Sequence, residues 1–169
     1  MTVTAEDFGT ALIAVARSYL DVREVTSNSG PEIDAWLAAV GCAPGASWCA
    51  AAASAWILEA AAQTGAKVSF RASASALKLL SRNASAVVTD PEPGDLIVWD
   101  HGQGLGHVGV ITATVAINGV VTGLDVIAGN TSADGHSRNG DRVAEHPVAY
   151  PDPKIAGYLR VTPIPDPVA

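Results

Sequence analysis

Residues 47–65 read SWCAAAASAWILEAAAQTG, a run of small side chains bounded by a serine and a glycine. A serine ahead of an apolar run can accept hydrogen bonds from the free N–H groups of a helix start, and a glycine just past the run can take the left-handed conformation that ends one. The stretch therefore predicts a helix from Trp48 to about Thr64, capped by Ser47 and stopped at Gly65. Alanines on several faces let neighbouring elements approach closely, which places this helix at the centre of the domain. Its most apolar part, Trp48 to Leu58, is interrupted by Ser54 and closed by Glu59. That is too short to span a bilayer.

Upstream, two more helices are predicted. Thr4 and Asp7 have capping-box spacing, and Phe8, Leu12, Val15 and Tyr19 fall on one helical face. Residues 21–30 are polar and read as a loop. Pro31 suits a first helical position, with Ile33, Trp36, Leu37 and Val40 at helical spacing and Gly41 as the stop. Residues 42–46 hold Pro44 and Gly45 and form a turn. Downstream, Ser73 to Leu80 predicts a short helix with Leu77 and Leu80 turned inward. After Asn83 the pattern changes to short β-branched runs. Leu96–Trp99 and His107–Thr112 read as strands. Val115–Ile117 and Val120–Ile127 flank Asn118-Gly119, a strong hairpin signal, and Gly123 fits a bulge. Residues 129–142 read as a polar, glycine-rich loop, Val143–Val148 and Gly157–Ile164 as the last strands, and Pro163–Ala169 as an extended tail. Helices first and strands afterwards indicate an α+β domain, and the short connections indicate a mostly antiparallel sheet. The expected organisation is a single domain over residues 1–169, with its core at about 5–163.

Composition narrows the function. The 169 residues carry a net charge of −7 and are 49% hydrophobic, so the chain can bury a core and has no overall basic footprint for nucleic acid or an anionic membrane. Two cysteines, Cys42 and Cys49, cannot make a zinc finger. Glu6 and Asp7 precede Leu12–Ala16 without a basic region, which does not read as a secretory signal.

Cys49 is the residue of chemical interest. It falls in the first turn of the predicted helix, where partial positive charge and unpaired N–H groups favour a thiolate and should lower the thiol pKa. An inert buried cysteine is the competing reading. Cys42 precedes the Pro/Gly turn and reads as structural. A thiolate nucleophile needs a base, and the chain has four histidines. His107 opens a strand in Gly-His-Val-Gly-Val-Ile, where glycines allow close approach. His101, His136 and His146 read as bystanders. Asn130 ends the run Val126–Ala128 through Gly129 and can orient an imidazole, the third role of a triad. Asn130-Thr131-Ser132 also spells a glycosylation sequon.

Four stretches occur in order: Ser47-Trp48-Cys49-Ala50-Ala51, Pro93-Gly94-Asp95-Leu96-Ile97-Val98-Trp99, Gly106-His107-Val108-Gly109-Val110-Ile111 and Val126-Ile127-Ala128-Gly129-Asn130. Together they resemble the CHAP family of cysteine- and histidine-dependent amidohydrolases and peptidases, relatives of the NlpC/P60 enzymes. The resemblance implies a papain-like α+β fold with N-terminal helices packed on the sheet. It implies hydrolysis of amide bonds in bacterial peptidoglycan, within the stem or cross-bridge peptide or between muramic acid and L-alanine. Cys49 would be the nucleophile, His107 the general base and acid, and Asn130 the orienter. NlpC/P60 relatives often have a histidine in the third role, so asparagine favours CHAP. In similar sequences a Glu followed by Asn-x-Gly stands where Glu24 and Asn28 stand here. Glu24 could accept a hydrogen bond from a stem-peptide amine or from Trp48, and Trp48 and Trp99 could wall the cleft. Asp95 reads as a turn residue. Asp134, Asn139 and Asp141 do not reproduce an EF-hand, so neither a metal nor another cofactor is expected.

Two other functions would suit the same residues. One is a non-catalytic module binding peptidoglycan or a partner, which has no need of a nucleophile at a helix start. The other is a thiol acyltransferase, in which an amine rather than water resolves the thioester. The expected setting is a monomeric phage or bacterial lytic enzyme, made in the cytoplasm and acting on the wall after release. An injected effector, which would bring an immunity partner, is the other setting.

Overall fold

The structure, a computed structural model, describes residues 3–165. Four helices precede a six-stranded sheet: α1 (Ala5–Ser18), α2 (Pro31–Ala39), α3 (Cys49–Thr64), α4 (Ala76–Arg82), then β1 (Val87–Val88), β2 (Leu96–Asp100), β3 (Gly106–Ile117), β4 (Val120–Thr131), β5 (Arg142–Ala149) and β6 (Ile155–Leu159). The spatial order is β1-β6-β2-β3-β4-β5, and every pairing is antiparallel. This is the expected α+β architecture.

The helices form where sequence chemistry places them. Thr4 and Asp7 make a reciprocal capping box at the start of α1, and Phe8, Leu12 and Val15 are buried. Pro31 opens α2, which buries Ile33, Trp36 and Leu37. The helix expected from Ser73 begins instead at Ala76, capped by Ser75, and the Ser73 side chain accepts from the Ser75 N–H. The buried residues of α4 are Ala76 and Leu79, while Leu77 and Leu80 are only partly buried. Cys49 to Ala53, Ser54, Trp56, Ile57 and Ala60 are all buried, so α3 is the central rod that its small side chains predict. At its far end Gly65 adopts φ 68°. Tyr19, Trp36, Trp48 and Trp56 pack ring to ring, with centroids 5.1–6.3 Å apart. Such aromatic pairs add about 0.5–1.5 kcal/mol each beyond their buried area.

Strand alternation sorts the sheet into two faces. Leu96, Val98, Val108, Val110, Ile127, Val143 and Leu159 join the helices in the main core. Ile97, Trp99, Ile111, Leu124, Val126 and Tyr158 form a smaller cluster on the other face. Several strand limits differ from the sequence reading. His107–Thr112 and Val115–Ile117 are one strand, since a register shift between Ile111 and Ala113 carries the chain past the weakly patterned Ala113-Thr114. Asn118 and Gly119 turn the hairpin, both with positive φ. The strand expected over Gly157–Ile164 is shifted toward the N-terminus. The expected tail begins in contact instead, with Pro163 bridged to Val68 and the Ile164 N–H donated to the Lys67 carbonyl. Residues 166–169 lie outside the described residues.

Candidate active site

The start of α3 differs in one informative way from the sequence reading. Its N-cap is Trp48, at φ −118° and ψ 6°, and no side chain caps it; Ser47 does not. The first N–H groups of the helix are therefore not consumed by a hydroxyl. The N–H groups of Cys49 and Ala50 both act on the Cys49 sulfur, and so does the N–H of Val108. The β3–β4 ladder ends at Val110 and Ile127, which leaves the Val108 N–H unspent on β4. The Cys49 sulfur thus rests against the residue that follows His107 in β3.

His107 pairs in register with Trp99 on β2, and its ring lies 5.7 Å from the indole at an interplanar angle of 32°. Cys49 and His107 are 5% and 6% exposed. Nδ1 of His107 is buried and has no hydrogen-bond partner among the described residues. No hydrogen bond joins thiol and imidazole; Val108, whose N–H lowers the thiol pKa, follows His107 in β3.

Burial decides the resting protonation. It pushes the Cys49 thiol up to about 11, although the Val108, Ala50 and Cys49 N–H groups and the Arg138 charge pull it down. The thiolate stabilisation expected at a helix start is present, but loss of solvent outweighs it. Burial likewise pulls the His107 imidazole down to about 3, helped by the charges of His146, His101 and Arg138. Both groups are neutral at pH 7.

Asn130 has a different partner from the one expected. It is fully buried at φ 55°. In the amide orientation that satisfies both atoms, Oδ1 accepts from the Trp48 N–H at 3.2 Å and Nδ2 donates to the Gly140 carbonyl at 2.8 Å. Its amide is spent on fixing the start of α3 and closing the 132–141 loop, not on the imidazole.

Trp48 does not wall a cleft. It is fully buried against Trp36 and Gly129, because an indole beside an alanine-rich helix fills the space that small side chains leave. Its Nε1 donates to Glu24 Oε1 at 2.9 Å, as the sequence suggested. Glu24 and Asn28, the latter at φ 53°, line a polar cavity of about 340 Å³ with Ser132, Asn139 and Asp141. Trp99 lines a second, larger cavity of about 520 Å³ beside His107. The 132–141 loop separates the two, and Ser137 touches both. The proposed substrate residues thus divide between two cavities.

The larger cavity contains what the sequence reading missed. All four histidines line it, so His101, His136 and His146 share this cavity with His107. Arg138 and Lys154 line it too. Their signal in the sequence is weak, since each is one cation in a polar loop without periodicity. Asp95 behaves as a structural residue: it is buried, takes two hydrogen bonds from Arg160 and accepts from the Glu92 N–H. Asp134 bonds Ser132 and His136, and Asp141 pairs with Arg142. Among the described residues, no group of three or more His, Cys, Asp or Glu could hold a metal. No described helix is long and apolar enough to cross a membrane.

The chain is an α+β domain with a cysteine at an uncapped helix start and a histidine on the strand that packs near it. The family model described as CHAP domain matches residues 34–130, more than half of the chain, and the chain belongs to the CHAP family. At the level of the family this means amidase- or peptidase-type hydrolysis. No curated protein and no solved structure matches the chain.

Proposed function

We propose that this protein hydrolyses amide bonds of bacterial peptidoglycan through a thioester on Cys49, with His107 as base and acid. The observation that supports this most is the uncapped start of α3, whose N–H groups and the Val108 N–H converge on one sulfur beside His107. With both groups neutral at rest, the Cys49 proton passes to His107 as the sulfur attacks the carbonyl carbon, instead of leaving in advance. The oxyanion falls to N–H donors at the start of α3. His107 then protonates the leaving amine, activates a water, and the thioester opens. Asn130 acts as a positioning residue, since its bond to the Trp48 N–H fixes the residue before the nucleophile. In this reading the enzyme reaches the wall after release from a cell or injection into one.

The test is digestion of purified sacculi by the wild type and by Cys49→Ala, with fragments identified by mass spectrometry. New free amines without new reducing sugars, absent with Cys49→Ala, are the expected result. Equal fragments from both proteins would remove Cys49 from the nucleophile's role.

A further inference from the structure

β3 and β4 run on past the rest of the sheet. β2 pairs with β3 only from Gly106 to Val110, and the last main-chain bonds on that side join Ile111 to Gly94 and Asp95. β5 pairs with β4 only as far as Gly123. From Ala113 to Ile117, β3 is paired along one edge, with β4, and its other edge has no neighbouring strand among the described residues. The two register shifts of the hairpin leave this edge unbroken, since the extra residues are Thr112, ahead of it, and Thr122, on β4. Side chains at this end are exposed as well: Val115 is 48% exposed, Ile117 62% and Val120 65%. The hairpin tip stands at the opposite end of β3 from His107, roughly 30 Å away at about 3.3 Å per residue.

An open strand edge is a template for a further strand, and proteins block such edges with charge, proline, cover or shortness. The two outer edges of this sheet are blocked in these ways. β1 has only Val87 and Val88, and Asp90 and Pro91 follow it. β5 carries Pro147, which has no N–H, and its Arg142 and Glu145 are held in ion pairs, while the Val22 carbonyl accepts the Val143 N–H. The 113–117 edge has none of these guards. Residues 112–124 contain no charged side chain and no proline. That absence selects the occupant. Two copies of a chain with a net charge of −7 repel one another, so they meet at least cost where charge is missing. A lipid surface fits less well, because residues 112–124 hold no Trp, Tyr, Lys or Arg to sit among headgroups. A single strand edge is also complementary to itself: an antiparallel pair about a two-fold axis presents the same residues from both sides and closes at two copies.

We propose that this protein, in place of the expected monomer, forms a weak two-fold dimer through antiparallel pairing of the 113–117 edges of two copies. Pairing centred on Val115 sets it opposite the partner's Val115 and engages the whole edge, while the Cys49 and His107 end of the domain stays free. The contact is smaller than the roughly 800 Å² per partner of a standard interface, so the dissociation constant is expected between about 1 μM and 1 mM. Sedimentation velocity of the full chain across that range reads the association, and hydrogen exchange at the same concentrations reads where it occurs. Amides within 113–117 should exchange more slowly as dimer forms. Val115→Lys places like charges directly opposite one another and should weaken the dimer at least tenfold, and so should Val115→Glu; an equimolar mixture of the two should associate again. Both substitutions fall at an exposed position, and an unchanged near-UV circular dichroism spectrum verifies the fold. A wild type that stays monomeric throughout, a dimer indifferent to both substitutions, or a dimer that leaves exchange at 113–117 unaltered would each overturn the proposal. A monomer that sediments with phosphatidylcholine vesicles, and ceases to do so as Val115→Lys, would overturn it in favour of a lipid surface.

Discussion

Gly129 sits where the sheet meets the start of α3, and replacing it with alanine is a sharp test of how Cys49 is positioned. A Cβ at residue 129 would lie 2.6 Å from Cζ3 and 2.9 Å from Cε3 of Trp48, and 3.1 Å from the Cβ of Ala52. Non-bonded carbons need about 3.5–4.0 Å. The shortfall is about 1 Å, and Trp48 cannot swing away, since it is fully buried and held by Glu24 and Trp36. The indole and the residue after it, Cys49, must move together. Overpacking of this kind costs about 1–3 kcal/mol. A 1 Å displacement of a reacting group costs on the order of a hundredfold in rate. Urea denaturation should show the first effect and release of amines from sacculi the second, with activity falling further than the folded fraction accounts for. Trp48→Phe removes the ring edge that clashes, so Gly129→Ala should cost less in that background, and a double-mutant cycle reads the coupling. If Gly129→Ala melts with the wild type and digests sacculi at its rate, the helix start is not held by this contact and the positioning argument fails.

Three further outcomes follow from the same geometry. Asn130→Ala strips partners from the buried Trp48 N–H and Gly140 carbonyl and should lower stability by about 2–4 kcal/mol in urea melts; a residue that only orients an imidazole would leave stability nearly unchanged. The pH dependence of stability should have two limbs from the buried His107 and Cys49. His107 is held near 3 against an ordinary 6.5, so the unfolded chain binds the extra proton and stability falls as pH drops from about 6.5 toward 3. Cys49 is held near 11 against 9, so its contribution is complete below pH 9 and is lost as pH rises toward 11. Urea midpoints against pH should lose the part of the alkaline limb between about pH 9 and 11 in Cys49→Ala, the raised Tyr19 and Tyr158 keeping the rest, and weaken on the acid side in His107→Gln; midpoints unaltered by either variant would contradict the burial of the pair. Asp95→Ala removes the buried acceptor of Arg160 and of the Glu92 N–H, while Arg160 keeps Glu92, and should cost about 1–3 kcal/mol while the folded protein keeps its specific activity; selective loss of turnover would place Asp95 in the site after all.

The parts of this fold that were legible in the sequence are those whose partners lie nearby in the chain. The capping box of α1, the proline start of α2, the glycine stop of α3 and the Asn-Gly hairpin each bring together residues within a few positions of one another. Val87–Val88 had no such signal, because a two-residue strand exists only through its pairing with Leu159 and Tyr158. Ser47 carried a local signal that tertiary structure overrode. The chain enters α3 through Trp48, and the indole, buried between Trp36 and Gly129, fixes the entry geometry in place of a cap.

The site divides along the same line. Cys49 and His107 could be read from the sequence because each stands at the edge of a periodic element, where a change of pattern marks it. Asn130 was legible as a special residue but not in its role, since its partners, Trp48 and Gly140, lie on opposite sides of it in the chain. Arg138, in a glycine-rich loop that no periodicity constrains, was not legible as a residue of the cavity beside His107. The effect that sequence logic got backwards was ionisation. A helix start argues for a thiolate only while water can reach it, and the same alanines that let the sheet close over α3 also exclude that water. The exposed start of a helix would lower the pKa of Cys49; the buried start of this one raises it. In the proposed mechanism the N–H groups near the sulfur then serve the charge that develops during attack, and His107 takes the proton in the same step.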